Sequence, residues 1–321
     1  MEKLFLNKNI ETFLKSQLDP ESRLAQSLLF YGEENLGKLH IAKIFAKSIL
    51  CENHIWNGCD KCNSCKAFNN NWHPDLKIFS HETHEVGERE MKKYQDVQLF
   101  LNYKPQISSN RILIIDRSEQ MTMATQSTSL KLLEEPFPNS IIIVISSFAS
   151  KLPETILSRL LPIRFTKGTK EDLKRFFQSN FRIKDEDLDF YLELGENKVG
   201  KIINLIENKE YLKEKMENIK ILINILNTDF VSASNIIKEL ANKDNDLNLI
   251  VKDWLGFLHQ ILVHKNITLW EKHLKINLSI LNTDSNFLRK TLRNTLQLQN
   301  YTANYNLNKK LMLETFYLTI K

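Results

Sequence analysis

Three runs of consecutive apolar residues punctuate the first half of the chain: Leu28-Leu29-Phe30-Tyr31, Ile112-Leu113-Ile114-Ile115 and Ile141-Ile142-Ile143-Val144-Ile145. Runs this short and apolar at every position predict strands buried on both faces, as in a parallel sheet covered by helices. Helical stretches follow each run. One spans His40 to Ala46, and a second ends in Lys131-Leu132-Leu133-Glu134-Glu135-Pro136, where the proline stops it. The third run is followed by Leu152 to Leu160 and then by a short Ile163-Arg164-Phe165 run. Strands alternating with helices predict an α/β domain.

From about Gly168 the strand-like runs stop and helical periodicity takes over. Leu173, Phe176, Phe177, Leu188 and Leu192 fit a small helical bundle ending near Asn208. The charged stretch Glu207 to Lys215 leads into a further helical region. There Leu247, Ile250, Val251, Trp254, Leu258, Ile261 and Leu262 share one helix face. Leu288, Leu292 and Leu296 repeat every four residues, as do Leu307 and Leu311. Intramolecular core is the first reading of these stripes and partner surface the second. The predicted organisation is therefore 1–166, 167–208 and 209–321.

Composition narrows the class without changing the fold. A chain of 321 residues that is 42% hydrophobic and 26% charged is long enough for two or three folded domains. Net charge of +5, from 44 basic and 39 acidic residues, is compatible with a nucleic-acid partner but does not demand one. Met1 to Lys8 has no apolar core of a signal peptide, and the strongest apolar run, Ile141 to Ile145, is strand-sized. A cytoplasmic location without membrane contact is expected.

The first strand leads into Gly32-Glu33-Glu34-Asn35-Leu36-Gly37-Lys38-Leu39 and then a helix. That order forms a phosphate cradle, in which loop N–H groups face the phosphates and the lysine reaches the terminal ones. Gly32, Gly37 and Lys38 are the candidate phosphate-binding residues. The pattern wants Ser or Thr after the lysine, because that hydroxyl helps hold Mg²⁺. Leu39 stands there and cannot coordinate a metal. The second buried run ends in Asp116, the pattern of the second nucleotide-site element, yet Arg117 follows where an acid would polarise water. The loop is thus expected to be degenerate, with ATP binding weak or absent.

All four cysteines, Cys51, Cys59, Cys62 and Cys65, fall within fifteen residues at C-x7-C-x2-C-x2-C spacing. Four thiolates on tight turns supply the tetrahedron of a structural Zn²⁺ site, closed and non-catalytic. Disulfides are the alternative, favoured by an oxidising compartment. His81, Glu82, His84 and Glu85 lack metal-helix spacing and read as a surface loop, and no Ser/His/Asp or Cys/His arrangement is evident.

In order along the chain, these segments resemble the clamp-loader branch of the AAA+ proteins, and within it the delta-prime type of bacterial DNA polymerase III subunit. The residues carrying the likeness begin with Arg23 to Phe30, leading into the loop, and the four-cysteine module. They continue through His73-Pro74-Asp75, Met121-Thr122, Lys131 to Pro136, Leu152 to Arg159 and Asn306 to Glu314. The resemblance implies an AAA+ parallel-sheet domain over 1–166 with a zinc module inserted at about 51–72. A small helical lid over 167–208 and an all-α oligomerisation collar over 209–321 would complete it. It also implies a non-hydrolysing member of a ring-like pentamer that uses ATP to load a sliding clamp onto primed DNA. Its partners would be the ATP-hydrolysing gamma or tau subunits, the delta subunit and the clamp.

The family's Ser-Arg-Cys motif stands here as Ser158-Arg159-Leu160, which makes Arg159 the arginine inserted into a neighbour's ATP site. An ordinary surface ion pair is the alternative for Arg159. The sensor position at the third strand's end would be Ser146 or Ser147. Gly195 to Lys201, the segment of the second sensor, has lysines but no arginine. A gamma- or tau-type ATPase and a free-standing DNA-binding zinc protein are the competing identities. Leu39 and Arg117 oppose the first, and the segments over 131–159 oppose the second.

Overall fold

A computed structural model describes residues 8–19, 24–80, 96–181, 183–242, 246–282, 285–304 and 308–321. The loop at His81 to Glu85, Arg23, Asn306, Leu307 and most of the amino-terminal stretch lie outside the described residues. The chain divides into two compact units, Met1–Asp172 and Leu173–Lys321.

The first unit holds a sheet of β1 (Ser27–Tyr31), β2 (Leu76–Ser80), β3 (Arg111–Asp116), β4 (Ser140–Ser146) and β5 (Leu161–Arg164). Every pairing is parallel, in the order β2-β3-β4-β1-β5. The three apolar runs are the three central strands, and the twofold alternation of a strand explains their content. Leu28, Phe30, Ile112, Ile114, Ile141, Ile143 and Ile145 face one side, with α1 (Lys8–Ser16) and α2 (Lys38–Leu50). Leu29, Leu113, Ile115, Ile142 and Val144 face the other. After α3 (Asn63–Asn69), that second face is covered by α4 (Met123–Glu134) and α5 (Glu154–Leu157). With both sides covered, no position on these strands can be polar until the strand ends.

Helix α1, strand β2 and a helical stretch over 96–102 are not foretold by the apolar pattern. Edge strand β2 leaves Ile78 40% exposed and contains Lys77, so it carries no continuous run.

The second unit is helical throughout its described residues. Helix α6 (Lys170–Asn180) crosses the boundary, followed by α7 (Asp185–Leu194), α8 (Val199–Glu207), α9 (Lys209–Asn227), α10 (Phe230–Asn242) and α11 (Leu247–His264). Then come α12 (Ile267–Leu274), α13 (Ser279–Asn282), α14 (Ser285–Asn304) and α15 (Lys309–Ile320). Leu173, Phe176, Phe177, Leu188, Leu192 and six of the seven predicted α11 residues are buried, with Leu262 packed at the margin. Trp254 is wholly buried, and its indole N–H donates to the Asn218 carbonyl at 2.7 Å.

The stripe on α14 differs from its prediction. Leu288 is buried, but Leu296 is 48% exposed, and the inward face runs through Leu288, Thr291, Thr295 and Leu298. A repeat of four overshoots the helical turn of 3.6 residues, so such a stripe winds out of the core within two turns. Leu311 likewise lies 64% exposed on α15. Among the described residues, no helix is long and apolar enough to cross a membrane.

Candidate functional site

Parallel neighbours bring their carboxyl ends to one edge of the sheet, where α/β sheets bind ligands. Tyr31 pairs with Ser146 and Ile115 with Val144, so Gly32, Asp116 and Ser147 emerge together. Gly32 has φ of +141°, and a Cβ there would fall 2.3 Å from the Phe165 carbonyl oxygen. Gly37 has φ of +82° and turns the chain into α2 without a side-chain cap.

Lys38 is buried, and its Nζ donates to the Gly32 and Glu33 carbonyls at 2.6 Å each, with Ser147 Oγ at 3.5 Å. Burial pulls its pKa below the ordinary lysine value, against the opposing charges of Glu119, Asp116, Glu34 and Glu33. Burial pushes the Asp116 carboxyl up, offset in part by the amide and charge of Arg117. Leu39 packs against the core beneath α2, so an apolar contact takes the place of the missing metal ligand.

Sequence reasoning passed over Glu119. Arg117 adopts a left-handed conformation at φ 53°, and the chain reverses into a 3₁₀ turn over Ser118–Gln120. The Glu119 carboxylate is thereby carried back over the strand ends. Its Oε2 accepts from Ser146 Oγ at 3.0 Å and from the Ser147 amide at 3.1 Å. The two sensor candidates are thus distinguished: the Ser146 hydroxyl is buried and bound to Glu119, whereas the Ser147 hydroxyl faces Lys38. The only signal in the sequence was an acid spaced three residues after Asp116.

The four cysteine sulfurs lie within 4.8 Å of one another. Thiolates about 2.3 Å from a tetrahedral zinc would be about 3.8 Å apart. Cys59 and Cys65 sulfurs stand at 4.0 Å, so the donor set fits a soft tetrahedral dication with little adjustment. Backbone amides at Cys62 and Lys61 pull the Cys59 thiol down to about 6, while burial pushes Cys65 up to about 12. A bound dication favours the thiolate at every ligand.

Cys62 also caps α3, its sulfur accepting from the Cys65 amide at 3.3 Å. Gly58, at φ +78°, leaves no room for a side chain: a Cβ would fall 2.8 Å from Cys65 Sγ and 2.7 Å from Lys47 Cε. Gly58→Ala is expected to weaken metal affinity by about 10- to 100-fold, the range for disturbed ligand surroundings. Competition with a chromogenic chelator measures it, and an unchanged affinity would show that the loop yields instead.

His73 ties this module to the sheet. Its Nδ1 accepts from the Asp75 amide at 3.1 Å, so Nε2 carries the proton and donates to Ser64 Oγ at 2.8 Å. Ser64 in turn donates to the Leu50 carbonyl at 2.6 Å. This Ser/His pair is no nucleophile, because Ser64 is 1% exposed and its hydroxyl proton is committed.

Arg159 lies exposed between α5 and β5. Its Nη2 is 2.7 Å from Glu134 Oε1 at the end of α4, and Nη1 donates to the Thr155 carbonyl at 2.7 Å. In the second unit, Lys198 and Lys201 both engage Glu196, at 3.2 and 2.5 Å. Burial would raise the Glu196 carboxyl, but these two lysines outweigh it and hold it at about 2.

Comparison with known proteins matches this architecture. A family model described as DNA polymerase III, delta subunit, matches residues 6–169. The delta' subunit of DNA polymerase III from Bacillus subtilis is 25% identical over 205 residues, 63% of this chain and 60% of that protein. The chain thus spans less than two thirds of that relative's length. A DNA polymerase III gamma subunit from Buchnera aphidicola is 24% identical over 288 residues, 83% of this chain and 78% of that one. A solved gamma-subunit-related protein from Thermotoga maritima shares the fold, with a TM-score of 0.52 at 16% identity, covering 96% of this chain and 97% of that one. The parallel sheet with its strand-end loop shares the fold of that structure, and the family match spans more than half of the 321 residues. On these grounds the chain belongs to the DNA polymerase III, delta subunit, family.

Proposed function

We propose that this chain is a non-hydrolysing, delta-prime-type subunit of the DNA polymerase III clamp loader. It acts in the cytoplasm alongside gamma or tau and delta subunits, helping to load the sliding clamp onto primed DNA. Residues 167–208 serve as its lid, 209–321 as its share of the collar, and Zn²⁺ fills the cysteine site. The gamma-type reading, which the longer Buchnera match favours, requires ATP hydrolysis by the isolated chain. Leu39 packed against the core and Arg117 after Asp116 oppose it, so no activity above background is expected.

One observation carries the reading: the Arg159 guanidinium is exposed, pairs with one half-exposed carboxylate, Glu134, and otherwise donates only to the neutral Thr155 carbonyl and Ser158 hydroxyl of its own turn. Surface pairs of this kind contribute roughly 0–1 kcal/mol, so a phosphoryl group on a neighbour can take the guanidinium over. An arginine supplied in trans raises phosphoryl transfer by about 10³–10⁵. The test is single-site ATP turnover in a reconstituted complex whose other ATPase sites are disabled, with wild-type chain or Arg159→Ala assembled to the same extent. Turnover is expected to fall by about 10³-fold or more. Equal turnover would leave the chain a scaffold.

A further inference from the structure

The phosphate loop and the end of β4 beside it are each engaged by groups of the chain itself. At the near end the Lys38 ammonium sits 2.6 Å from two loop carbonyls, those of Gly32 and Glu33. At the far end the Glu119 carboxylate takes both donors at the end of β4, the Ser146 hydroxyl and the Ser147 amide, at 3.0 and 3.1 Å. Ser147 bridges the two ends, its hydroxyl 3.5 Å from Lys38 Nζ. Four carboxylates act on this one lysine, Glu119 most strongly, then Asp116, Glu34 and Glu33.

We infer that Glu119 is a built-in substitute for a terminal phosphate, and that it makes this loop select against polyphosphate anions. The inference rests on the reading of the chain as non-hydrolysing and gives that property a second, independent cause. Loss of the hydroxyl at Leu39 weakens Mg²⁺ but leaves the lysine and loop amides in place. A carboxylate fixed on the strand-end donors acts on what remains: it occupies the Ser146 hydroxyl and the Ser147 amide beside the loop, and its charge acts on Lys38 and opposes that of an incoming phosphoryl oxygen. Glu119 also pins the 118–120 turn to β4, and that structural role is separable. Glutamine keeps an acceptor oxygen for the same two donors and loses only the charge.

The test uses the full chain alone and calorimetric titration with ATP, with and without Mg²⁺, and with inorganic pyrophosphate. Wild type is compared with Glu119→Gln, Glu119→Ala and the double variant Glu119→Gln/Lys38→Ala, after thermal unfolding has shown that each is folded. Both single variants are expected to bind at least about tenfold more tightly than wild type, with the gain lost in the double variant. Affinities within about twofold of wild type in both would overturn the inference. So would a gain confined to Glu119→Ala, which would make the block one of volume, or a gain that survives without Lys38. Binding by the isolated chain is independent of turnover in the complex, so this inference and the Arg159 assignment can fail separately.

Discussion

Asp75→Ala is expected to destabilise the first unit by about 3–5 kcal/mol, the range for removing one partner of a buried charged network. The Asp75 side chain has no exposed surface. Its carboxylate accepts from the amides of Gln106, Ile107 and Ser108 at 2.7, 2.9 and 3.0 Å and from Ser108 Oγ at 2.8 Å. Arg111, also buried, places Nε 3.8 Å away. Alanine would strand three amides and unbalance a guanidinium that has left water.

The pH dependence has a definite sign. Burial would raise the Asp75 carboxyl, but these hydrogen bonds outweigh it and hold it below the usual range. A depressed folded value means the contribution is fully present above the unfolded value of about 3.9 and is lost as pH falls through the folded one. Chemical denaturation should therefore show a wide gap between wild type and variant near pH 7 that narrows in acid. Equal midpoints at neutral pH would refute the role.

Stripping the metal is expected to have the other large effect. Unchelated protein should carry one zinc per chain, held by Cys51, Cys59, Cys62 and Cys65. Structural zinc sites bind with apparent free energies of about 10–16 kcal/mol, and most of that is folding energy of the local chain. Chelation should open residues 51–69 to hydrogen exchange while β1, β3 and β4 stay protected, because the buried members of both core layers lie outside the module, which adds only Trp56 and Phe68 at the margin. Cys65→Ser should behave as chelation does. Fresh protein without zinc, or unchanged exchange after chelation, would contradict the assignment.

These two sites were unequally legible in the sequence. The cysteines declare themselves because ligation demands close spacing, and the chain supplies four within one short stretch. His73-Pro74-Asp75 was visible only as part of a resemblance, because its partners at 106–108 lie more than thirty residues away. Glu119 was hidden for a different reason: its position depends on the left-handed Arg117, a residue type that rarely adopts that conformation. Central strands were legible because burial on both faces leaves no choice of residue. Edge strand β2, free of that constraint on one side, was not. On α14 a leucine at every fourth position drifts off the inward face, which passes instead through the buried Thr291 and Thr295. Thr291 and Thr295 bond their hydroxyls to the carbonyls of Phe287 and Thr291, so they enter the core with their polarity already satisfied.

Helix α2 begins at Lys38 and its carboxyl cap is Cys51. At 13 residues it is a strut of roughly 20 Å with the candidate phosphate loop at one end and a candidate metal ligand at the other. A helix is stiff along its axis, so displacement at one end arrives at the other undiminished. Metal–sulfur bonds tolerate only tenths of an ångström. An ion at the cysteines would thus anchor the far end of the rod that carries the loop, and the loop's freedom to rearrange is set in part by chemistry a helix-length away.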